Sequence, residues 1–250
     1  MTGYNWELYN VGALQSGDAT ETTDLAAQNP DKLKQLQGLF YSEAAKYNVL
    51  PLDNTTLARW NSPRPNLTAG RTVFTYSGEL TGVPGSAAPN IMNKSYTITA
   101  EVEIPKGGGE GIIVTDGGRF GGYALFLSQG KLGLRKGKPA FLYNFLDLKR
   151  TVWAGPELAA GKHTIVFDFK SDGKGLGAGG TGVLSVDGQE VATNSIDHGI
   201  PVTFPEDETF DVGLDTRTGV ALLEYRYDTP FRFTGKIDKL TFELKPNATP

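Results

Sequence analysis

Between Ser95 and Pro105 the chain alternates: Tyr96, Ile98, Ala100, Val102 and Ile104 fall on one side, Thr97, Thr99, Glu101 and Glu103 on the other. A two-residue period places the two sets on opposite faces of a strand, so this segment predicts a half-buried antiparallel strand. The same alternation recurs in Tyr123 to Leu127, in Phe141, Tyr143 and Phe145, and in His163, Ile165, Phe167 and Phe169. It returns around Val183 to Val191, where Asp187-Gly188 tolerates the positive backbone angles of a tight hairpin. The last strands fall between Phe231 and Leu244, with Ile237, Leu240, Phe242 and Leu244 on the buried side. Many short strands separated by Gly-rich turns, with no helices between them, predict a mainly β protein built as a β-sandwich.

The first fifty residues read differently. Trp6 to Val11 alternates as a short strand would. Asn29-Pro30 then marks a helix start, with Asn29 placed to cap free N–H groups and Pro30 at the first helical position, where its missing N–H costs nothing. Leu33, Leu36, Phe40, Ala44 and Tyr47 follow at spacings of three and four, one apolar stripe over about five turns. From Val49 to Gly70 the residues Pro51, Pro63, Pro65, Asn54 and Asn66 interrupt every period and leave Leu57 and Trp60 as bulky anchors, which predicts a wrapping linker. The expected organisation is a strand-helix segment over residues 1–50, a linker over 51–70 and a sandwich over 71–247.

Composition narrows the function. In 250 residues, 24 Lys and Arg stand against 28 Asp and Glu, a net charge of −4 with no basic stripe interleaved with aromatics, so nucleic acid is excluded as the expected partner. The absence of Cys removes disulfides, thiolate metal sites and Cys nucleophiles, and two His alone build no common zinc site. No apolar run approaches the ~18 residues of a spanning helix, and no cationic start with an apolar stretch opens the chain. The expectation is a chain without membrane span or signal peptide, compatible with a bacterial periplasm or a cytoplasm. Four Asn-x-Ser/Thr sequences, at Asn54, Asn66, Asn93 and Asn247, matter only in a eukaryotic secretory host.

Several constellations carry possible chemistry. Gly175 to Gly180 has the G-x-G-x-x-G spacing of dinucleotide sites, but strands flank it and no helix starts there, which predicts a flexible hairpin connection. His163 alternates with Ile165 and Phe167 as a core or rim residue, and His198 lies in a turn. Glu101 and Glu103 have the spacing of a glycosidase carboxylate pair, against a solvated outer face as the other reading. Asp211 and Asp215 bracket Val212-Gly213-Leu214 as oxygen ligands for calcium could, and turn-forming aspartates look the same. For carbohydrate, the best cluster runs from Asp116 through Arg119 and Phe120 to Tyr123, with Trp153 as a stacking platform; the competing reading is a glycine-bent corner whose rings are core.

Three early segments, Trp6-Glu7-Leu8-Tyr9-Asn10-Val11, Asp24 to Leu33 and Tyr47 to Asp53, resemble in order and spacing the C-terminal end of bacterial arylsulfatases. Downstream, Asn93 to Val102, Gly117 to Tyr123 and Phe231 to Ile237 resemble the concanavalin A-like jelly-roll extension of longer members, so the resemblance covers nearly the whole chain. The family implies sulfate-ester hydrolysis by a formylglycine made from a C/S-x-P-x-R motif beside calcium. That motif is missing, since Ser62-Pro63-Arg64-Pro65 has the wrong spacing, and no catalytic residue transfers. The resemblance therefore implies a non-catalytic module that packs beside, or recognises a glycan or sulfated glycan beside, a sulfatase active site carried elsewhere. An unpaired strand and an amphipathic helix also call for a cover, from the sandwich, a second copy or a catalytic sulfatase chain. The alternatives are a stand-alone carbohydrate-active enzyme and a structural or adhesion module.

Overall fold

The computed structural model describes residues 5–12, 17–56, 58, 62, 67–130, 136–173, 175–222 and 225–245. Leu57, Trp60, Asn66 and Asn247 lie outside them, and so do the Pro63 and Pro65 interruptions of the predicted linker. The chain divides into two compact units, Met1–Arg64 and Pro65–Pro250.

In the first unit, helix α1 (Pro30–Lys46) begins where Asn29-Pro30 predicts. Asn29 does not cap it; its side-chain amide turns back and donates to the Leu25 carbonyl at 3.3 Å. Residues 6–11 form no strand, a correction with a physical cause. The partner of this extended segment is a turn: the Leu8 carbonyl accepts from the Leu25 amide at 2.7 Å, and the Leu8 amide donates to the Asp24 carboxylate at 2.9 Å. Trp6 lies edge-on to Phe40 and Tyr41, with ring centroids 5.2 and 6.2 Å away. Of the predicted stripe only Ala44 is buried; Leu36 and Tyr47 are exposed, as are the neighbouring Leu39 and Tyr41. No helix among the described residues is long and apolar enough to cross a membrane.

The second unit is the predicted jelly-roll β-sandwich. Its first sheet takes the order β1 (Val73–Tyr76), β14 (Lys236–Leu244), β3 (Tyr96–Ile104), β8 (Gly161–Ser171), β9 (Ala178–Val186), β10 (Gln189–His198). Its second takes the order β2 (Leu80–Val83), β11 (Phe210–Val212), β4 (Gly111–Gly118), β5 (Gly121–Gln129), β6 (Lys136–Phe145), β7 (Lys149–Ala154). A two-stranded ribbon, β12 (Leu214–Asp215) with β13 (Phe231–Arg232), completes the set. All pairings are antiparallel.

β3 buries its alternating apolar side, and Thr97, Thr99, Glu101 and Glu103 face outward. In β14 the spacing between Ile237 and Leu240 is three rather than two because the register slips between Ile237 and Lys239, a bulge that returns Leu240, Phe242 and Leu244 to the core side. The Asp187-Gly188 hairpin joins β9 to β10, with Asp187 at φ +50° and Gly188 at φ +78°. The space between the sheets is filled by rings: Phe141 stacks on Phe167 at 3.6 Å, and Trp153 meets both edge-on.

The second sheet departs from the alternation read in Tyr123 to Leu127. Tyr123, Leu125 and Leu127 enter the core between the sheets, but Ala124 and Phe126 are equally buried on the opposite face. There a strap of residues 216–222 and 225–231 lays Val220, Ala221, Tyr227 and Phe231 over Ile112, Ala124, Phe126, Ala140 and Leu142. Strands covered on both faces read as continuous apolar runs, as in Gly121 to Leu127 and Pro139 to Tyr143.

Candidate functional site

At one end of the sandwich, two proline-punctuated segments stand apart and leave an open cleft of about 490 Å³. One wall is the end of β2 with the short 3-10 turn Gly85–Ala87 and the following residues to Met92; the other is the loop from Val202 to Thr209. Asp116, near the end of β4, lies at its floor. Phe204, Met92 and Pro84 give apolar surface, while Ser86, Asn90, Thr203 and Thr209 give hydroxyl and amide groups. Three carboxylates line the cleft, Asp116, Glu206 and Glu208, and no Lys, Arg or His does among the described residues.

Asp116 pairs with Tyr123 across β4 and β5 and with Phe210 across β4 and β11, so its side chain shares the inner face with rings. It is only 5% exposed. Burial pushes its carboxyl up to about 7, the negative charge of Asp211 pushes the same way, and a hydrogen bond from the Gly117 amide opposes them. Near neutral pH this group therefore exists in both forms, able to donate a hydrogen bond when protonated and to accept when ionised.

Asp211, 2% exposed, is a brace. It accepts from the Gly82 amide at 2.7 Å, the Thr209 hydroxyl at 3.0 Å and the Thr216 hydroxyl at 3.1 Å, and so ties both cleft walls and the strap to β11. Asp215, also 2% exposed, holds the strap by accepting from the Tyr227 hydroxyl at 2.7 Å and the Arg217 amide at 3.2 Å. Burial raises its carboxyl to about 6 against those two hydrogen bonds, with Glu208 and Asp211 adding repulsion. The aspartates considered for calcium thus have protein donors on their oxygens. Among the described residues no group of three or more His, Asp or Glu stands ready to hold a metal ion.

The residues weighed for sugar binding separate. Tyr123 is fully buried, stacked on Phe141 with centroids 5.9 Å apart, its hydroxyl without a hydrogen-bond partner among the described residues. Trp153 is 1% exposed and donates its indole N–H to the Gly182 carbonyl at 2.8 Å. Neither ring can serve as a platform, and the glycine-bent corner with core rings is the arrangement found. The bend is glycine-dependent: at Gly117, φ +83°, a Cβ would lie 2.2 Å from the Gly121 carbonyl oxygen. Arg119 is exposed at the tip of that turn, its side chain 4.0 Å from Asp147 and above the Phe120 ring, and it does not line the cleft. Of the predicted cluster only Asp116 reaches it.

The other constellations resolve as the structural alternatives. Glu101 and Glu103 are exposed on the outer face, opposite Lys239 and Lys236 of β14 and Thr164 and Lys162 of β8. Both ring nitrogens of His163 are engaged, with Asp187 at 2.7 Å and the Ala159 carbonyl at 3.0 Å, which fastens the hairpin. His198 is the last residue of β10 and exposed. The glycines from Gly175 lead into β9, and that strand continues the glycine pattern because a Cβ at Gly182 would lie 2.6 Å from the Phe167 ring and 3.0 Å from Trp153. Sequence reasoning missed both cleft walls. The signals were there in Pro84, Pro89, Pro201 and Pro205 and in the acidic run Glu206-Asp207-Glu208, all outside any hydrophobic period.

The fold and cleft together define a jelly-roll β-sandwich with an acidic recess at one end of its sheets. No family model matches the chain, and no curated protein does. Solved structures of similar fold include the CBM40 of Ruminococcus gnavus IT-sialidase bound to alpha2,3 sialyllactose, 14% identical over 68% of this chain and 90% of that one, with a TM-score of 0.44. Domains LG4-5 of the mouse laminin alpha1 chain are 14% identical over 70% of this chain and 42% of that one, TM-score 0.41. A SAP-like pentraxin from Limulus polyphemus is 12% identical over 71% and 79%, TM-score 0.40. Each of these is a likeness of fold.

Proposed function

We propose that the chain is a non-catalytic recognition module that holds a hydroxyl-rich carbohydrate in the acidic cleft, and that its first fifty residues keep it beside a sulfatase active site carried elsewhere. The observation that carries the first half is Asp116: a carboxyl almost withdrawn from water, yet lying at the floor of an open recess. Carboxylates and amides accept and donate to sugar hydroxyls in fixed directions, and the C–H faces of a sugar ring pack on surfaces such as Phe204, Met92 and Pro84. With three carboxylates and no cation in its lining among the described residues, the recess repels an anionic group and favours a neutral one. Support for the second half is the resemblance of residues 6–53 to the end of arylsulfatases, together with the apolar residues Leu36, Leu39 and Tyr41 that α1 leaves exposed for a partner.

The test is affinity electrophoresis of the purified chain through a panel of neutral polysaccharides. Retardation by at least one of them is the expected result, reduced at least tenfold in Asp116→Asn while the melting temperature stays within a few degrees. Retardation that survives Asp116→Asn, or no retardation by any neutral polysaccharide, refutes the cleft. One observation favours a second reading. A carboxyl poised near pH 7 in a cleft that also holds Glu206 and Glu208 has the character of a general acid in glycoside hydrolysis. Release of reducing ends from the bound polysaccharide, lost in Asp116→Asn, would replace the non-catalytic reading; aryl sulfate turnover by this chain alone would overturn the sulfatase half.

A further inference from the structure

A second concavity in the sandwich unit has the opposite sign. A groove of about 310 Å³ runs between the turn before β1, the residues entering β3 and the end of β14, and Arg71, Lys94 and Lys245 line it with Asn90, Thr72 and Phe74. No carboxylate lines it among the described residues. Backbone bonds fix the three segments to one another: the Leu244 amide donates to the Thr72 carbonyl at 2.7 Å and the Lys245 amide to the Ser95 carbonyl at 2.9 Å.

The three cations are held in different ways. Arg71 donates its Nε–H to the Val73 carbonyl at 2.9 Å and lays its guanidinium 4.5 Å from the centre of the Phe74 ring, a pose that fixes the fork and leaves its terminal N–H groups without a partner among the described residues. Lys245 is paired with Asp168 at 2.9 Å, and that carboxylate also accepts from Thr97. Lys94 is half-buried with no carboxylate and no acceptor among the described residues, and burial alone pulls its ammonium below the usual lysine range. A partly desolvated cation without a counter-charge is a cost to the fold that an incoming anion removes. The chain's net charge of −4 gives a polyanion no long-range attraction, so recognition of one depends on this local cluster.

We propose that this groove binds the anionic substituent, sulfate ester or carboxylate, of an acidic polysaccharide. The proposal rests on the carbohydrate reading and extends it. Asn90 lines both the acidic cleft and the basic groove, so the two recesses are neighbours, one suited to hydroxyls and the other to charge. One polysaccharide strand spans them, with its charged group at Arg71 and Lys94.

Three dextrans of matched length separate the sources of charge: unmodified, carboxymethylated and sulfated. In affinity electrophoresis at moderate salt the chain is slowed by at least one charged dextran and more weakly by the unmodified one; preference between the charged forms identifies carboxylate or sulfate. Arg71→Gln with Lys94→Gln weakens that binding at least tenfold, and Lys94→Gln alone weakens it measurably with the melting temperature retained. Lys239→Gln, on the outer face of the first sheet, changes it less than twofold. Binding to neither charged dextran, undiminished binding in the double variant, or an equal loss in Lys239→Gln overturns the proposal. Binding of a neutral polysaccharide through Asp116 with both charged dextrans ignored refutes the groove and leaves the cleft standing. The reverse pattern, charged dextrans bound through Arg71 and Lys94 with the neutral panel ignored, refutes the cleft and leaves the groove.

Discussion

The two sheets of the sandwich share one core and differ in what covers their backs. The first shows water Thr97, Thr99, Glu101, Glu103 and their neighbours on β8 and β14, and its strands alternate accordingly. The second carries a strap over its back, so Ile112, Ala124, Phe126 and Leu142 are as dry as the residues between the sheets. This contrast limits where a ligand can go. The first back is a polar surface on which Glu101, Lys162, Thr164 and Asp238 line a recess of only about 200 Å³, the second is covered by the chain itself, and the larger cleft and groove lie at the ends of the strands, where loops separate.

Removing a ring from under the strap costs the fold most. Phe126→Ala on the back of the second sheet costs about 3–5 kcal/mol, the same as Phe167→Ala between the sheets, whereas Thr99→Ala on the back of the first stays within about 0.5 kcal/mol. Urea denaturation measures all three; a Phe126→Ala cost as small as that of Thr99→Ala would mean the back of the second sheet is not covered.

A smaller effect follows from the two raised carboxyls. Burial makes the folded chain hold the Asp116 proton up to about pH 7 and the Asp215 proton up to about pH 6, whereas an ordinary aspartate releases it near 3.8. Their contribution is fully present below about pH 4 and is lost as pH rises through 6 and then 7, on the order of 4 kcal/mol for Asp116. The melting temperature is therefore several degrees higher at pH 5 than at pH 8, and Asp116→Asn flattens much of that slope. A melting temperature that rises from pH 5 to pH 8 contradicts the burial of both groups.

The smallest effect sits on the strap's anchor. Tyr227→Phe removes the hydroxyl that donates to Asp215 and costs about 1–2 kcal/mol in urea denaturation. Because that hydrogen bond lowers the Asp215 carboxyl, its loss also raises the pH at which the strap's acid is ionised. An unchanged midpoint would show that Asp215 does not hold the strap.

The same contrast explains what the sequence revealed. β3, β8, the Asp187-Gly188 hairpin and the start of α1 were legible because each has one wet and one dry side, or a turn residue with a required backbone angle. β4, with Ile112, Ile113 and Val114 in succession, has no alternation to read because both of its faces are dry. β1 and β2 are four residues each and mostly exposed, too short for a period to show. Trp6 to Val11 alternates without becoming a strand, since alternation reports two faces and not a partner to bond. In the cleft, Asp116 was legible as a polar residue beside a glycine bend, but its burial comes from Phe210 and Tyr123 on neighbouring strands, a juxtaposition that only the register of β4 supplies.

Recognition at the loop end of the sandwich is what the proposed function requires. It is tested most directly by amide chemical-shift mapping, with an oligosaccharide cut from whichever neutral polysaccharide slows the chain. Shifts are expected to concentrate in residues 82–92 and 202–209 and at Asp116. Shifts gathered instead on the outer face of the first sheet, around Thr99 and Thr181, or along the turn from Arg119 to Tyr123, would contradict it.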